Sequence, residues 1–149
     1  MEKETVVIIS GYFNPLHIGH ILYLQGAKKL GNKLLVIVNN DEQQLLKKGK
    51  IIMPESHRCD IVAALRDVDD LCLSIDDDPT VCKTLDYVAR NMKDKYKLIF
   101  ANGGDRPTSK EVPETFVCRQ HGIEMVFDAG GNDKVDSSTR VNKETGDEE

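Results

Sequence analysis

The sequence predicts an α/β protein built on an open, doubly wound parallel sheet. Three observations carry that reading. Apolar runs are short and continuous, each closes on a Gly-, Asn- or Asp-rich exit, and helical patterns lie between them. Strands buried on both faces read as unbroken apolar runs, whereas half-buried strands alternate. Strands that alternate with helices imply right-handed crossovers, and hence a sheet with helices on both sides.

Each element has its own justification. The first strand is Val6-Val7-Ile8-Ile9, ended by Ser10-Gly11. Ile18, Ile21, Leu22 and Gln25 then recur at helical spacing, and that segment closes at Leu30-Gly31 with Lys28 and Lys29 in its last turn. Basic residues there, with glycine at the stop, suit a helix C-terminus. Residues 34–38 form the second strand, ended by Asn39-Asn40-Asp41. The helix over residues 55–66 follows Pro54 and carries Ile61, Val62, Ala64 and Leu65. Leu71-Cys72-Leu73 is a third, weaker strand. The next helix, over residues 80–92, follows Pro79 and has Val81, Leu85, Val88 and Met92 on one stripe. Leu98-Ile99-Phe100 is the fourth strand, ended by Asn102-Gly103-Gly104. A short helix over 113–121 ends at Gly122, and Met125-Val126-Phe127 is the fifth strand. A final helix is expected near Ser137. Residues 1–141 form one domain, and residues 142–149 an acidic, frayed tail.

Composition narrows the function classes. A chain of 149 residues fits one domain with a real core. The formal net charge of -5 argues against a nucleic-acid surface, which needs a basic footprint. It leaves room for a local cluster of lysines and arginines around one triphosphate. Cys59, Cys72, Cys82 and Cys118 form no C-x-x-C pair, so a zinc or redox motif is not expected. They read as free thiols in a reducing compartment. No apolar run approaches the roughly 18 residues that span a membrane. The expectation is a cytoplasmic protein.

The strongest chemical signal is Gly11-Tyr12-Phe13-Asn14-Pro15-Leu16-His17-Ile18-Gly19-His20, between the first strand and the first helix. Ligands of doubly wound sheets bind beyond the carboxyl ends of the strands, where the strand order reverses. Helix N-terminal N–H groups favour an anion there. His17 and His20, three apart, share a side of the first turn, and Gly19 leaves a phosphate room to approach. Positioned donors of this kind stabilise the charge that builds on a phosphoryl group under attack. Two ordinary histidines, or a metal pair lacking a third ligand, are the other readings. The run Lys47-Lys48-Gly49-Lys50 reads on its own as a solvated surface.

These residues resemble the H-x-G-H nucleotidyltransferase superfamily, and among its members most closely the small glycerol-3-phosphate cytidylyltransferase-like proteins. The resemblance covers nearly the whole chain. It includes a Lys-rich loop after the second strand, His57-Arg58 at a helix start, and Arg66-Asp67-Val68-Asp69 after it. It implies a Rossmann-like nucleotidyltransferase fold, with His17, His20 and Lys47 as the catalytic set. It also implies nucleotide contacts from Gly11, Tyr12, Phe13 and Gly19 at the first loop. Gly104-Asp105 would face the base or ribose, and Ser137-Ser138-Thr139 the leaving phosphates. Lys50 and Arg66 would take the acceptor phosphate. The family's Arg-Thr-x-Gly-Ile stretch is replaced here by Gly131-Asn132-Asp133-Lys134-Val135-Asp136, and Ser137 to Arg140 also resembles the Ser-Ser-Thr-Arg of adenylyltransferases.

The implied reaction moves CMP from CTP to a small phosphorylated acceptor and releases pyrophosphate. The alternatives are an adenylyltransferase using ATP on a sugar phosphate or cofactor precursor, and an inactive nucleotide-binding protein. Mg²⁺ is expected on the triphosphate, with no protein metal cage. The resemblance also implies a homodimer. Mutual repulsion among Lys47, Lys48 and Lys50 predicts a loop over residues 47–50 that is mobile without ligand and closes on bound phosphates, anchored by Leu45-Leu46 and Ile51-Ile52.

Overall fold

A computed structural model describes residues 3–103, 112–127 and 129. The elements run β1 (Glu4–Gly11), α1 (Ile18–Lys28), β2 (Lys33–Val38), α2 (Asp41–Lys48), α3 (Glu55–Ala63), β3 (Asp70–Leu73), α4 (Cys82–Met92), β4 (Tyr96–Ala101), α5 (Thr115–His121) and β5 (Glu124–Val126). The sheet order is β3-β2-β1-β4-β5 and every pairing is parallel.

The unbroken apolar runs are explained by burial on both faces. Val6 and Ile8 pack with Leu35, Ile37, Leu85 and Val117, beneath α4 and α5. Val7 and Ile9 pack with Leu34, Val36, Leu24 and Val62, beneath α1 and α3. Successive side chains of one strand therefore enter two different cores. The chain winds outward through β2 and β3, then returns to lay β4 on the other flank of β1. The order reverses between β1 and β4, so the exit of β1 lies at the switch point.

All five expected strands are present among the described residues, and four of the expected helices. The expected final helix near Ser137 and the acidic tail lie outside them. One helix was not expected: α2 occupies the segment read as a lysine loop. Its two leucines are adjacent and both exposed, so no apolar stripe announces it. Its caps do. The Asn40 side chain accepts from Gln43 N, the Gln43 side chain accepts from Asn40 N, and Gly49 closes the helix at φ 74°. An Asn-x-x-Gln box followed by a left-handed glycine is a legible start and stop. Among the described residues no helix is long and apolar enough to cross a membrane.

Candidate active site

The exit of β1 folds back on itself. Phe13 is 2% exposed and takes a φ of 53°, a left-handed conformation that bulky residues rarely adopt. A Cβ on Gly11 would stand 2.9 Å from Phe13 Cζ, so the ring covers the glycine and excludes any larger residue. The other edge of the ring meets His20, with centroids 5.0 Å apart at 67°. Phe13, expected as a nucleotide contact, thus turns its side chain inward to support the second histidine.

The two histidines cap α1 reciprocally. His17 Nδ1 accepts from Gly19 N at 3.0 Å, and His20 Nδ1 accepts from His17 N at 3.1 Å. Backbone N–H groups cannot reverse their role, so both Nδ1 atoms are acceptors. In a neutral imidazole the proton then sits on Nε2. The rings stack with centroids 4.1 Å apart. The helix start therefore presents two Nε2–H donors of fixed tautomer at the switch point.

Burial lowers the pKa of His17, and burial followed by the neighbouring His17 ring lowers that of His20 to about 3. The unfolded chain binds more protons than the fold between the ordinary histidine value of about 6.5 and that lower value. Stability contributed by the neutral His20 is therefore complete above pH about 6.5 and is lost as pH falls through that window. We expect the His20 Cε1–H resonance to hold its position from neutral pH down to about 4.5, with the ¹⁵N pattern of an Nε2–H tautomer. A midpoint near 6.5 would contradict the capped geometry.

One α2 lysine approaches the same exit. Lys47 Nζ lies 4.6 Å from the centroid of the Tyr12 ring, a cation–π contact. Lys47 and Lys48 thus belong to the last turn of a helix, and only Lys50 stands in the loop beyond it. Leu45, Leu46 and Ile51, expected to anchor that loop, are exposed. The ammonium of Lys48, quoted in the lysine run without a role of its own, is buried and has no hydrogen-bond partner among the described residues. That is the reverse of the usual habit of lysine, which keeps its charged head in water.

Sequence reasoning quoted Arg58 in the His-Arg pair without giving it a role. It is 0% exposed and makes four hydrogen bonds, to Met53 O, Tyr12 O, Asn39 O and the Asp41 carboxylate. One guanidinium thereby joins the exits of β1 and β2, the start of α2 and the loop before α3.

A family model described as cytidylyltransferase-like matches residues 8–143. The chain belongs to this nucleotidyltransferase family. It is 43% identical over 73 residues to an FAD synthase of Pyrococcus abyssi, a match covering 48% of this chain and 49% of that protein. It is 35% identical over 114 residues to the bifunctional protein HldE of Cronobacter sakazakii, covering 68% of this chain but 24% of that protein. A solved structure, the lipopolysaccharide core biosynthesis protein from Thermoplasma volcanium GSS1, superposes with a TM-score of 0.65 at 29% identity. That match covers 83% of this chain and 93% of the other.

In this cytidylyltransferase-like chain the structure brings together Gly11, Tyr12, Phe13, His17, Gly19, His20 and Lys47. Arg66 follows the end of α3 and lines a groove of about 640 Å³ with Ile21, Leu24, Gln25, Lys28 and Lys29 along α1. The eleven-residue α1 starts at the histidines and runs to the opposite sheet edge, some 16 Å away at about 1.5 Å per residue. The acceptor-phosphate role expected of Arg66 stays a proposal: the groove it borders runs along α1 from Ile21, one residue past His20, to Lys29. Gly104, Asp105, Ser137, Ser138 and Thr139 lie outside the described residues. Among those residues no three His, Cys, Asp or Glu side chains converge as a metal site.

Proposed function

We propose that the chain transfers a nucleotidyl group from a Mg²⁺–nucleoside triphosphate to a small phosphorylated acceptor. The observation that carries this is the pair of capped, neutral imidazoles at the switch point. An acceptor phosphate oxygen attacks the α-phosphorus in line. A new P–O bond forms, the bond to the bridging oxygen of the β-phosphate breaks, and pyrophosphate leaves with that electron pair. His17 and His20 donate through Nε2–H to the oxygens that gain charge, Lys47 neutralises the phosphates, and Lys50 takes the acceptor phosphate. No covalent enzyme intermediate is needed, so positioning and charge stabilisation supply the catalysis. A homodimer and a cytoplasmic setting accompany this reading.

Two nucleotides compete. The resemblance to glycerol-3-phosphate cytidylyltransferase-like proteins supports CTP. ATP is supported by a relative named FAD synthase, whose product is an adenine dinucleotide, and by Ser137 to Arg140. Pyrophosphate release should be measured with CTP and ATP against polyol phosphates, sugar phosphates and a flavin phosphate. The expected result is release that requires both a triphosphate and a phosphorylated acceptor, with one nucleotide preferred at least about tenfold, as placed base contacts produce. Turnover with ATP alone would move the chain to the adenylyltransferases. No release with any pair would leave a nucleotide-binding protein without catalysis.

A further inference from the structure

Helix α2 is held in place by polar side chains. Leu45 and Leu46 face solvent, while Gln43 and Gln44 are wholly buried. Gln43 binds the turn before α4, donating to Asp78 O at 2.7 Å and Thr80 O at 2.8 Å. Gln44 faces the other way, toward the histidine loop. Its Nε2 donates to Met53 O and to Asp41 Oδ1, and its Oε1 accepts from Ile52 N and Met53 N. The two backbone N–H groups fix which end of the amide is oxygen. Gln44 must therefore present an acceptor to Asn14, and Asn14 Nδ2 donates to it at 2.7 Å. Asn14 is 1% exposed, and its own Oδ1 is buried without a hydrogen bond among the described residues. Among the described residues, the bond to Gln44 is thus the one side-chain bond that holds Asn14 at that depth.

We propose that Gln44 is a positioning residue of the transfer reaction: through Asn14 it locks the lysine-bearing helix α2 to the loop that carries the histidine pair. This rests on the reaction proposed above. Asn14 stands three residues before His17, and Gln44 three residues before Lys47, so one buried amide pair sets the offset between the two groups that meet the phosphates. Gln44 need touch no substrate to act. If the Asn14–Gln44 bond is lost, Arg58 still joins the two segments at Tyr12 and Asp41. The expected outcome is thus a folded protein whose two groups are misaligned.

The test is a double-mutant cycle of Asn14→Ala and Gln44→Met, followed by kcat, KM and NMR. Each single variant should lower kcat by roughly 10- to 100-fold, the scale of an ångström of misplacement, and leave KM for the nucleotide within about 3-fold. The double variant should be no slower than the slower single. Lys47 lies over the Tyr12 ring, so its methylene protons should be shifted upfield in the wild type and move toward ordinary values in both variants. Unchanged kcat in Asn14→Ala, effects that multiply in the double variant, or a retained Lys47 shift would each overturn the proposal. Should Gln44→Met fail to fold, Asn14→Ala decides alone, because it leaves every other Gln44 bond intact. If the wild type turns over no nucleotide, the reaction reading fails, and the Lys47 shift still decides whether the amide pair sets the offset.

Discussion

Replacing His17 or His20 with alanine should lower kcat by roughly 10²-fold or more, as loss of a donor aimed at a transition state does. Each ring offers one Nε2–H, and its other nitrogen already accepts from the backbone of α1. The rings cannot rotate to compensate without breaking the cap, so a lost donor is not replaced. Alanine also removes the cap, which costs about 1 kcal/mol of stability, and this must be separated from catalysis. His17→Asn makes the separation. Asparagine is a good N-cap but places no donor at the Nε2 position. It should therefore recover most of the thermal midpoint lost in His17→Ala and none of the kcat. Recovery of both would make His17 a cap and nothing more. For His20→Ala, near-wild-type kcat would remove the second imidazole from the chemistry. The measurement needs saturating nucleotide and acceptor, so that a change in KM is not mistaken for one in kcat.

What the sequence made legible follows the kind of force involved. The strands were plain because Val6 to Ile9 and Leu34 to Val38 bury both faces, which leaves an unbroken apolar run. The histidine pair was plain because two imidazoles, a glycine and a strand exit fall within ten consecutive residues. Helix α2 was missed because buried glutamines hold it, and adjacent leucines pointing outward carry no helical period. Arg58 had no visible role because its partners come from four segments that only the fold assembles. A charged residue at a helix start looks like any surface residue until Tyr12 O and Asn39 O are brought to it. For Arg66 the motif says that an arginine ends a helix, but only the fold lays it along the groove beside α1. Buried Asp76 and Glu114 show the same limit: both accept from backbone N–H groups at the start of α4, Asp76 from Lys83 and Thr84, Glu114 from Val81.

Arg58→Met should destabilise the fold by about 3 to 5 kcal/mol, the range seen when one partner of a buried ion pair is removed. Methionine fills much of the volume but donates nothing. Three carbonyls, Tyr12 O, Asn39 O and Met53 O, then lose an N–H donor in a place where Arg58 was 0% exposed. Asp41 loses its cation as well, although its side chain is 25% exposed and water relieves part of that cost. Domains of this size are stable by only about 5 to 15 kcal/mol, so the loss is a large share of the total. Urea unfolding at neutral pH measures it directly. Arg58→Lys is the informative companion. An ammonium keeps the charge but is compact, and cannot reach four partners spread around a planar fork. It should restore the Asp41 contact and little else, and remain at least about 2 kcal/mol below wild type, since unpaired buried carbonyls dominate the cost. If Arg58→Lys unfolds like the wild type, the ion pair alone is what matters and the carbonyl clamp on Tyr12, Asn39 and Met53 is incidental. If Arg58→Met costs less than about 1 kcal/mol, the arginine does not hold these segments together.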